Sequence, residues 1–414
     1  MSELPDISHV AGVVVSFLKG EGFLGEGYEN IEKLIVGMFA VLMSYLARRL
    51  YKNYNPFGKD SQHQVRQGRY IAGRYPSAIV PVSRSFDWEN ENPRKYRPYK
   101  PGPYFMTMGL RALDPNDWLL LENTYKDITK ARAEIVENHR DNTVLTNPLA
   151  IEAVDETYDM FVNYITKKFP KYFYTTRRRP GYIYNAIKKD YIPSTSEQYD
   201  KDFEESIPDK KERMDSKIRL LAKHFEEDFL ILIYDEKTQQ YYLRAGSFAF
   251  PSGFNPAEKL NLALKDIHGP VPLYKEKIEN AMDRFFHKIE VGKWVQRYNW
   301  SIQGHTNLYA PTLNHAKKGA KLKAINPDEL DFDKVFLRVE RQVLTRLPNT
   351  KHLLFTIRTY VTPLSQIREE DRALELVEAI DNLPDNVAHY KKRDEWGPAV
   401  KAYLQRESDG IKKK

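Results

Sequence analysis

The sequence predicts an α+β fold: a five-stranded antiparallel sheet under a helical cover, preceded by an N-terminal helical and irregular extension. Three observations predict it. Phe229–Tyr234 and Gln240–Phe250 are strand-length runs separated by the turn Asp235-Glu236-Lys237-Thr238, the pattern of a hairpin. Val335–Leu344 and His352–Val361 form a second pair around Leu347-Pro348-Asn349-Thr350. Between the pairs, Lys275–Val291 repeats Ile278, Met282, Phe285 and Ile289 at helical spacing.

The chain of 414 residues divides by pattern into an apolar segment (1–58), an irregular wrap and helical region (59–225), the sheet-bearing core (226–390) and a tail (391–414). With 41% hydrophobic and 29% charged residues it has the composition of a globular protein. The absence of cysteine excludes disulfides, zinc–thiolate sites, iron–sulfur clusters held by this chain, thiolate catalysis and a thiolate ligand to haem. A net charge of +7 without a dense Lys/Arg block gives no reason to expect a nucleic-acid partner.

In the first segment, Val10–Leu18 is a nine-residue apolar run and Leu34–Ala47 has fourteen residues without a charge, followed by Arg48-Arg49. A spanning helix needs about 20 apolar residues. Two readings stand. One is a membrane anchor or interfacial helix leaving the rest of the chain in the cytosol; the other is a helix packed on the main body of a cytoplasmic protein.

In the second region, Asn53–Pro103 reads as an ordered but irregular surface wrap. Asp114-Pro115 and Asn147-Pro148 each supply an N-cap followed by proline at the first helical position. The second of these helices has Ile151, Val154, Tyr158, Phe161, Val162 and Ile165 on one face. Arg177-Arg178-Arg179 fits a solvated loop better than an anion site. Asp190–Arg213 reads as a long loop leading to a helix over Ser216–Glu226. Beyond the hairpin, Asn255-Pro256 opens a short helix, Tyr298–Ile302 is a third strand, and Asp371–Leu383 is the final helix. Two strands, a helical insert and three strands is the element order of a PAS domain, whose sheet and helices enclose a pocket.

Two places carry candidate chemistry. On the strand Val335–Leu344, alternation puts Arg338, Glu340 and Gln342 side by side. They fit either a salt-bridged outer face or a polar cluster in a cleft, where the carboxylate would bind an amine and an arginine would polarise bound oxygen. Arg358 lies with Leu354, Thr356 and Tyr360 on the next strand and is a candidate to join them. The other place is His268, in the rigid loop Ile267–Pro272 (IHGPVP). One histidine does not make a zinc site, but one is enough for a haem iron; a structural role remains open. No Walker A loop, GxSxG elbow or GxGxxG fingerprint is present.

The stretches Tyr96–Leu110 (YRPYKPGPYFMTMGL), Phe250–Phe254 (FPSGF), Ile267–Pro272, Arg297–Ile302 (RYNWSI), Leu337–Pro348 (LRVERQVLTRLP) and Leu353–Leu364 (LLFTIRTYVTPL) together resemble the haem-dependent oxidative N-demethylase family, the dimethylamine monooxygenase alpha-subunit type, in its fungal branch. The resemblance implies a PAS-like haem fold. It also implies oxidative removal of a methyl group from a small secondary amine, using O2 and electrons from a separate reductase. It makes His268 the metal ligand of haem b and sets Pro251, Phe254 and Trp300 beside the cofactor. Arg338, Glu340, Gln342 and Arg358 become candidates for the oxygen and substrate side. Phe254 stands where members often have tryptophan. The competing readings are a non-catalytic haem-binding PAS sensor or carrier, free or membrane-tethered, and a tethered interaction protein that has lost its cofactor.

Overall fold

The computed structural model describes residues 79–406 apart from 318, so Leu34–Ala47 lies outside the described residues. In chain order the strands are β1 (Arg111–Ala112), β2 (Val144–Thr146), β3 (Phe173–Thr175), β4 (Tyr182–Asn185), β5 (Asp190–Pro193), β6 (Asp228–Asp235), β7 (Gln240–Ser247), β8 (Trp294–Gln303), β9 (Phe336–Arg346) and β10 (Leu353–Pro363). The longer helices are α1 (Tyr125–Asn138), α2 (Ile151–Lys168), α3 (Lys210–His224), α4 (Glu279–Lys288), α5 (Ala373–Asp381) and α6 (Arg393–Gln405). Among the described residues, no helix is long and apolar enough to cross a membrane.

The main sheet is antiparallel with the order β1-β8-β9-β10-β6-β7-β2, and β3-β4-β5 form a separate small sheet. The sheet therefore has seven strands, not five. The five expected strands occupy its centre, and the additions are edge strands of two and three residues. Such short strands show no period of their own; they form because β8 and β7 offer open backbone edges.

Alternation gives the sheet two unlike faces. Phe229 and Ile231 of β6, Val343 of β9 and Leu354 of β10 point into a core shared with Val154, Phe161, Ile218 and Leu221 of α2 and α3. Leu337 and Val339 of β9 and Tyr360 of β10 extend this face onto Leu376, Ile380, Trp396 and Val400 of α5 and α6. The intervening residues, among them Leu230, Leu232, Leu344 and Phe355, face the other way, toward α4. At Arg244 the β6–β7 register shifts, Ile231 pairing with Ala245 and Leu232 with Leu243. The bulge re-aims β7, so that Leu243 and Ala245 lie on opposite faces despite their spacing.

Several expectations are corrected. Residues on both sides of 225/226, Leu221 of α3 and Phe229 of β6, belong to one core. The expected loop over 190–213 contains β5, a helix at Ser196–Phe203 capped by Thr195, and the start of α3, capped by Asp209. Its charged residues line exposed faces and hide the period. Asp114-Pro115 opens one 3-10 turn, and α1 begins ten residues later at Tyr125. The tail from 391 carries α6, whose Trp396, Val400 and Leu404 are buried. Pro398 lies inside α6 as its sixth residue, so the usual N–H bond to the Asp394 carbonyl is absent there while the helix continues to Gln405.

The packed face contains three arginines, each met by oxygens. Arg132 Nη1 contacts Asp228 Oδ1 at 2.7 Å, both side chains being fully buried. The Asp228 carboxylate also accepts from the N–H groups of Ala249 (2.6 Å) and Phe250 (3.2 Å). Arg341 donates to the carbonyls of Trp118 (2.9 Å) and Asp117. Arg358 contacts Glu122 and Glu226 at 2.6 Å and Glu227 at 3.1 Å. Burial, with the neighbouring Glu227 and Glu122, outweighs Arg358 and pushes the Glu226 carboxyl up to about 7.

Arg132→Met leaves a buried carboxylate without its cation and is expected to lower unfolding stability by about 3–5 kcal/mol, read from a denaturant midpoint at unchanged slope. Glu226 binds its proton more tightly folded than unfolded. Its contribution is thus complete below about pH 4.5 and is lost as pH rises toward about 7. Glu226→Gln should flatten that part of the stability–pH curve; an unchanged slope would refute the assignment.

Candidate functional site

The second face of the sheet is hollow. It floors a cavity of about 1030 Å³ with Leu230, Leu232, Leu243, Leu344, Phe355 and Ile357. Met282 and Phe286 of α4 form one wall. Met108 and Leu110, on either side of Gly109 in the approach to β1, form another. The solvent-exposed lining residues Glu258, Gly269, Pro270, Thr312 and Lys317 mark its opening.

His268 lines this cavity at the C-cap of a one-turn helix, Leu264–Ile267. Its Nδ1 is 2.9 Å from the carbonyl oxygen of Leu264, and its ring stacks on Tyr274 with centroids 4.8 Å apart. A carbonyl only accepts, so Nδ1 carries the proton and Nε2 presents a lone pair. Nε2 has no hydrogen-bond partner among the described residues. Burial lowers the imidazole pKa against the pull of the Leu264 carbonyl, with Arg297 and Lys259 adding to the lowering. A neutral ring with a fixed tautomer and a free Nε2 is the state a metal ligand requires. Among the described residues no cluster of three or more His, Asp or Glu side chains is placed to hold a metal ion.

The polar part of the cavity is built by register. Asn299 of β8 pairs with Glu340 of β9, and Arg297 with Gln342, so four polar side chains share one patch. Glu340 Oε2 accepts from Gln342 Nε2 (3.0 Å) and Asn299 Nδ2 (3.3 Å). Arg338 stands behind it, its Nε 3.8 Å from Glu340 Oε1. The Arg338 guanidinium is committed to the Phe250 carbonyl (2.6 Å) and Gln303 Oε1 (3.1 Å). Arg297 differs: it lines the cavity, and its buried Nε has no partner among the described residues. Burial lowers its pKa, and Glu340 counters only part of that. It is a cation awaiting an electron-rich group.

His315 and Tyr390 complete this end, their rings stacked at 4.2 Å. Burial, aided by Lys391 and Arg338, takes His315 down to about 3, so the ring is neutral. Gly253 makes room for it. With φ at +78°, a Cβ there would lie 2.3 Å from His315 Nδ1. Lys391 donates to the Trp300 carbonyl at 2.6 Å, and burial lowers it to about 8.

His268, Phe254, Glu340 and Gln342 thus line one cavity, with Arg338 directly behind. Three other candidates do not. Arg358 pairs across the sheet with Arg341, while Glu340 faces Thr359, so Arg358 belongs to the packed face with its three carboxylates. Trp300 lies between the cavity residues Asn299 and Ser301 and therefore points away, edge-on to Tyr99 at 6.2 Å. Pro251 is buried beside the cavity, its carbonyl accepting from Ala310 N (3.1 Å). Arg297 lies one residue before the expected third strand Tyr298–Ile302 and Asn299 lies within it; alternation back from Ser301 along β8 puts both on the cavity face. His315 and Tyr390 had no local signal and arrive through tertiary packing.

Gly253→Ala combines left-handed strain with overlap at His315. It is expected to displace the His315–Tyr390 pair and cost about 1–3 kcal/mol in denaturant stability. A crystal structure of the variant with both rings in place would refute that account.

A family model for the haem-dependent oxidative N-demethylase, alpha subunit-like, matches residues 109–401, more than half of the chain and a span that contains β1, His268, the polar patch and α4. The chain belongs to the haem-dependent oxidative N-demethylase alpha subunit-like family, a family of enzymes.

Proposed function

We propose that this chain is a haem b oxygenase that removes a methyl group from a small secondary amine, using O2 and electrons from a separate reductase. The observation that carries the reading is His268: a neutral imidazole with Nδ1 fixed on a carbonyl and Nε2 free in a large, mostly apolar cavity. Those residues fit a haem, which needs one axial ligand and flat apolar walls. The hairpin β6–β7, the helical insert carrying His268, and β8–β10 returning beside β6 support a PAS-like description of this half.

Bound haem supplies the place where O2 is held and reduced. The balance consumes O2, two electrons and two protons; one oxygen atom leaves in formaldehyde and the other in water, and the amine is released with one methyl group fewer. The chain's own residues set the geometry. Glu340, oriented by Asn299 and Gln342, receives the substrate ammonium, and the apolar walls strengthen that pair by excluding water. Arg297 directs an uncommitted guanidinium at the region where oxygen gains negative charge. Arg338 holds Glu340 and the Phe250 turn in place. The catalytic part is read as cytosolic, whether or not the 1–58 segment contacts a membrane.

Protein reconstituted with haem should show a Soret band that His268→Ala removes. Incubation with dimethylamine, O2 and a surrogate reductase should release formaldehyde. Glu340→Gln should retain the Soret band and lose about a hundredfold in kcat/KM. A Soret band with no formaldehyde from any of a panel of methylamines would favour the carrier or sensor reading.

A further inference from the structure

Besides Arg297 in the polar patch, the cavity wall carries two cations: Lys317, exposed at the rim, and Lys259, half-buried beside the exposed rim residue Glu258. Lys259 ends the 3-10 turn Pro256–Lys259, on the segment that leads to His268. Lys317 lies in the long loop that follows β8. The two segments are joined by the bridge between Ser252 and Ala310 and by the bond from Gly253 N to Ala310 O (2.8 Å). The Lys317 backbone is fixed in turn by His389, whose Nε2 is 3.4 Å from the Lys317 carbonyl oxygen. Neither lysine ammonium has an ion-pair or hydrogen-bond partner among the described residues. Other lysines of the same region are paired: Lys392 with Glu395 at 3.6 Å and Lys401 with Asp381 at 2.5 Å. The rim thus holds two separately anchored ammonium groups and one exposed carboxylate, Glu258, while the carboxylate Glu340 is held in the polar patch.

A porphyrin seated on His268 carries its apolar body inward and has two flexible carboxylates at one edge. Those carboxylates are too costly to bury in the Leu/Phe/Met interior and belong at the opening. We propose that Lys259 and Lys317 clamp these two propionates, setting the rotation of the macrocycle about the axis from His268 and leaving the Glu340–Arg297 patch to the substrate. This rests on the haem reading above.

The test compares iron protoporphyrin IX with its dimethyl ester, which has the same macrocycle and iron but no charge at that edge. Each is titrated into wild-type full-length protein, a Lys259→Gln/Lys317→Gln double variant and Arg297→Gln, with Kd read from the Soret change. Wild type should bind the diacid about tenfold tighter than the diester, a preference that shrinks with added salt. The double variant should bind both alike while keeping the wild-type Soret position, the sign that His268 still ligates. Undiminished preference in the double variant, no preference in wild type, or a preference lost in Arg297→Gln instead would each overturn the clamp while leaving the haem reading standing. Wild-type protein that takes up neither porphyrin would overturn both.

Discussion

The buried pair of Asp228 and Arg132 is the interaction on which the site depends. Asp228 opens β6, an interior strand between β10 and β7. Its carboxylate is shared between a guanidinium from α1 and two backbone N–H groups, Ala249 and Phe250, where the chain leaves β7. That fixes the exit of the segment that goes on to Gly253 and His268. Phe250 passes the constraint on: its carbonyl accepts from Arg338, and Arg338 backs Glu340. One desolvated carboxylate thereby joins a helix of the packed face to the floor of the cavity. Burial pushes the Asp228 carboxyl up, against the lowering by Arg132 and the Ala249 and Phe250 N–H groups.

Four of the five arginines on the neighbouring strands β8, β9 and β10, all but the terminal Arg346, show how strand parity divides labour. Arg341 and Arg358 face the helices and are spent on carbonyls and carboxylates. Arg338 and Arg297 face the hollow side, and only Arg297 is left without a partner. A buried guanidinium whose Nε has no partner and whose charge Glu340 offsets only in part is a cost to the folded chain that a ligand could relieve, which is why it is informative. The charge type is the same in all four; the face on which each stands determines what it can do.

Much of this was legible in the sequence. The two hairpins, the caps at Asn147 and Asn255, and the alternation of Arg338, Glu340 and Gln342 all follow from local period and turn chemistry, and the structure bears them out. The helix expected over Lys275–Val291 forms in part, as a turn at Tyr274–Lys277 and as α4, interrupted at Ile278 and ending at Lys288. His268 was visible as a histidine held in a rigid loop. What stayed hidden has physical causes. Strands of two and three residues have no readable period. Face assignment across strands needs the register, which no single strand contains; Arg358 was grouped with Glu340 on that account, and Trp300 was placed in the cavity by resemblance when its neighbours Asn299 and Ser301 line it. The stacked His315 and Tyr390 come from segments 75 residues apart and meet only because their loops share backbone bonds such as Ala316 N to Tyr390 O (2.9 Å).

The sheet buries its helices on one face and leaves the other hollow. The packed face has its full complement of apolar contacts without anything in the cavity. Substitution in the two layers is therefore under different pressures. A change on the hollow face alters the shape and charge of the chamber and leaves the helix-packed core as it was. A change at Arg341 or Arg358 strands carbonyls or carboxylates from distant segments at once. Changes in what such a chamber accepts fall to the alternate residues of β8 and β9 that point into it, while the residues between them are constrained by packing against the helices.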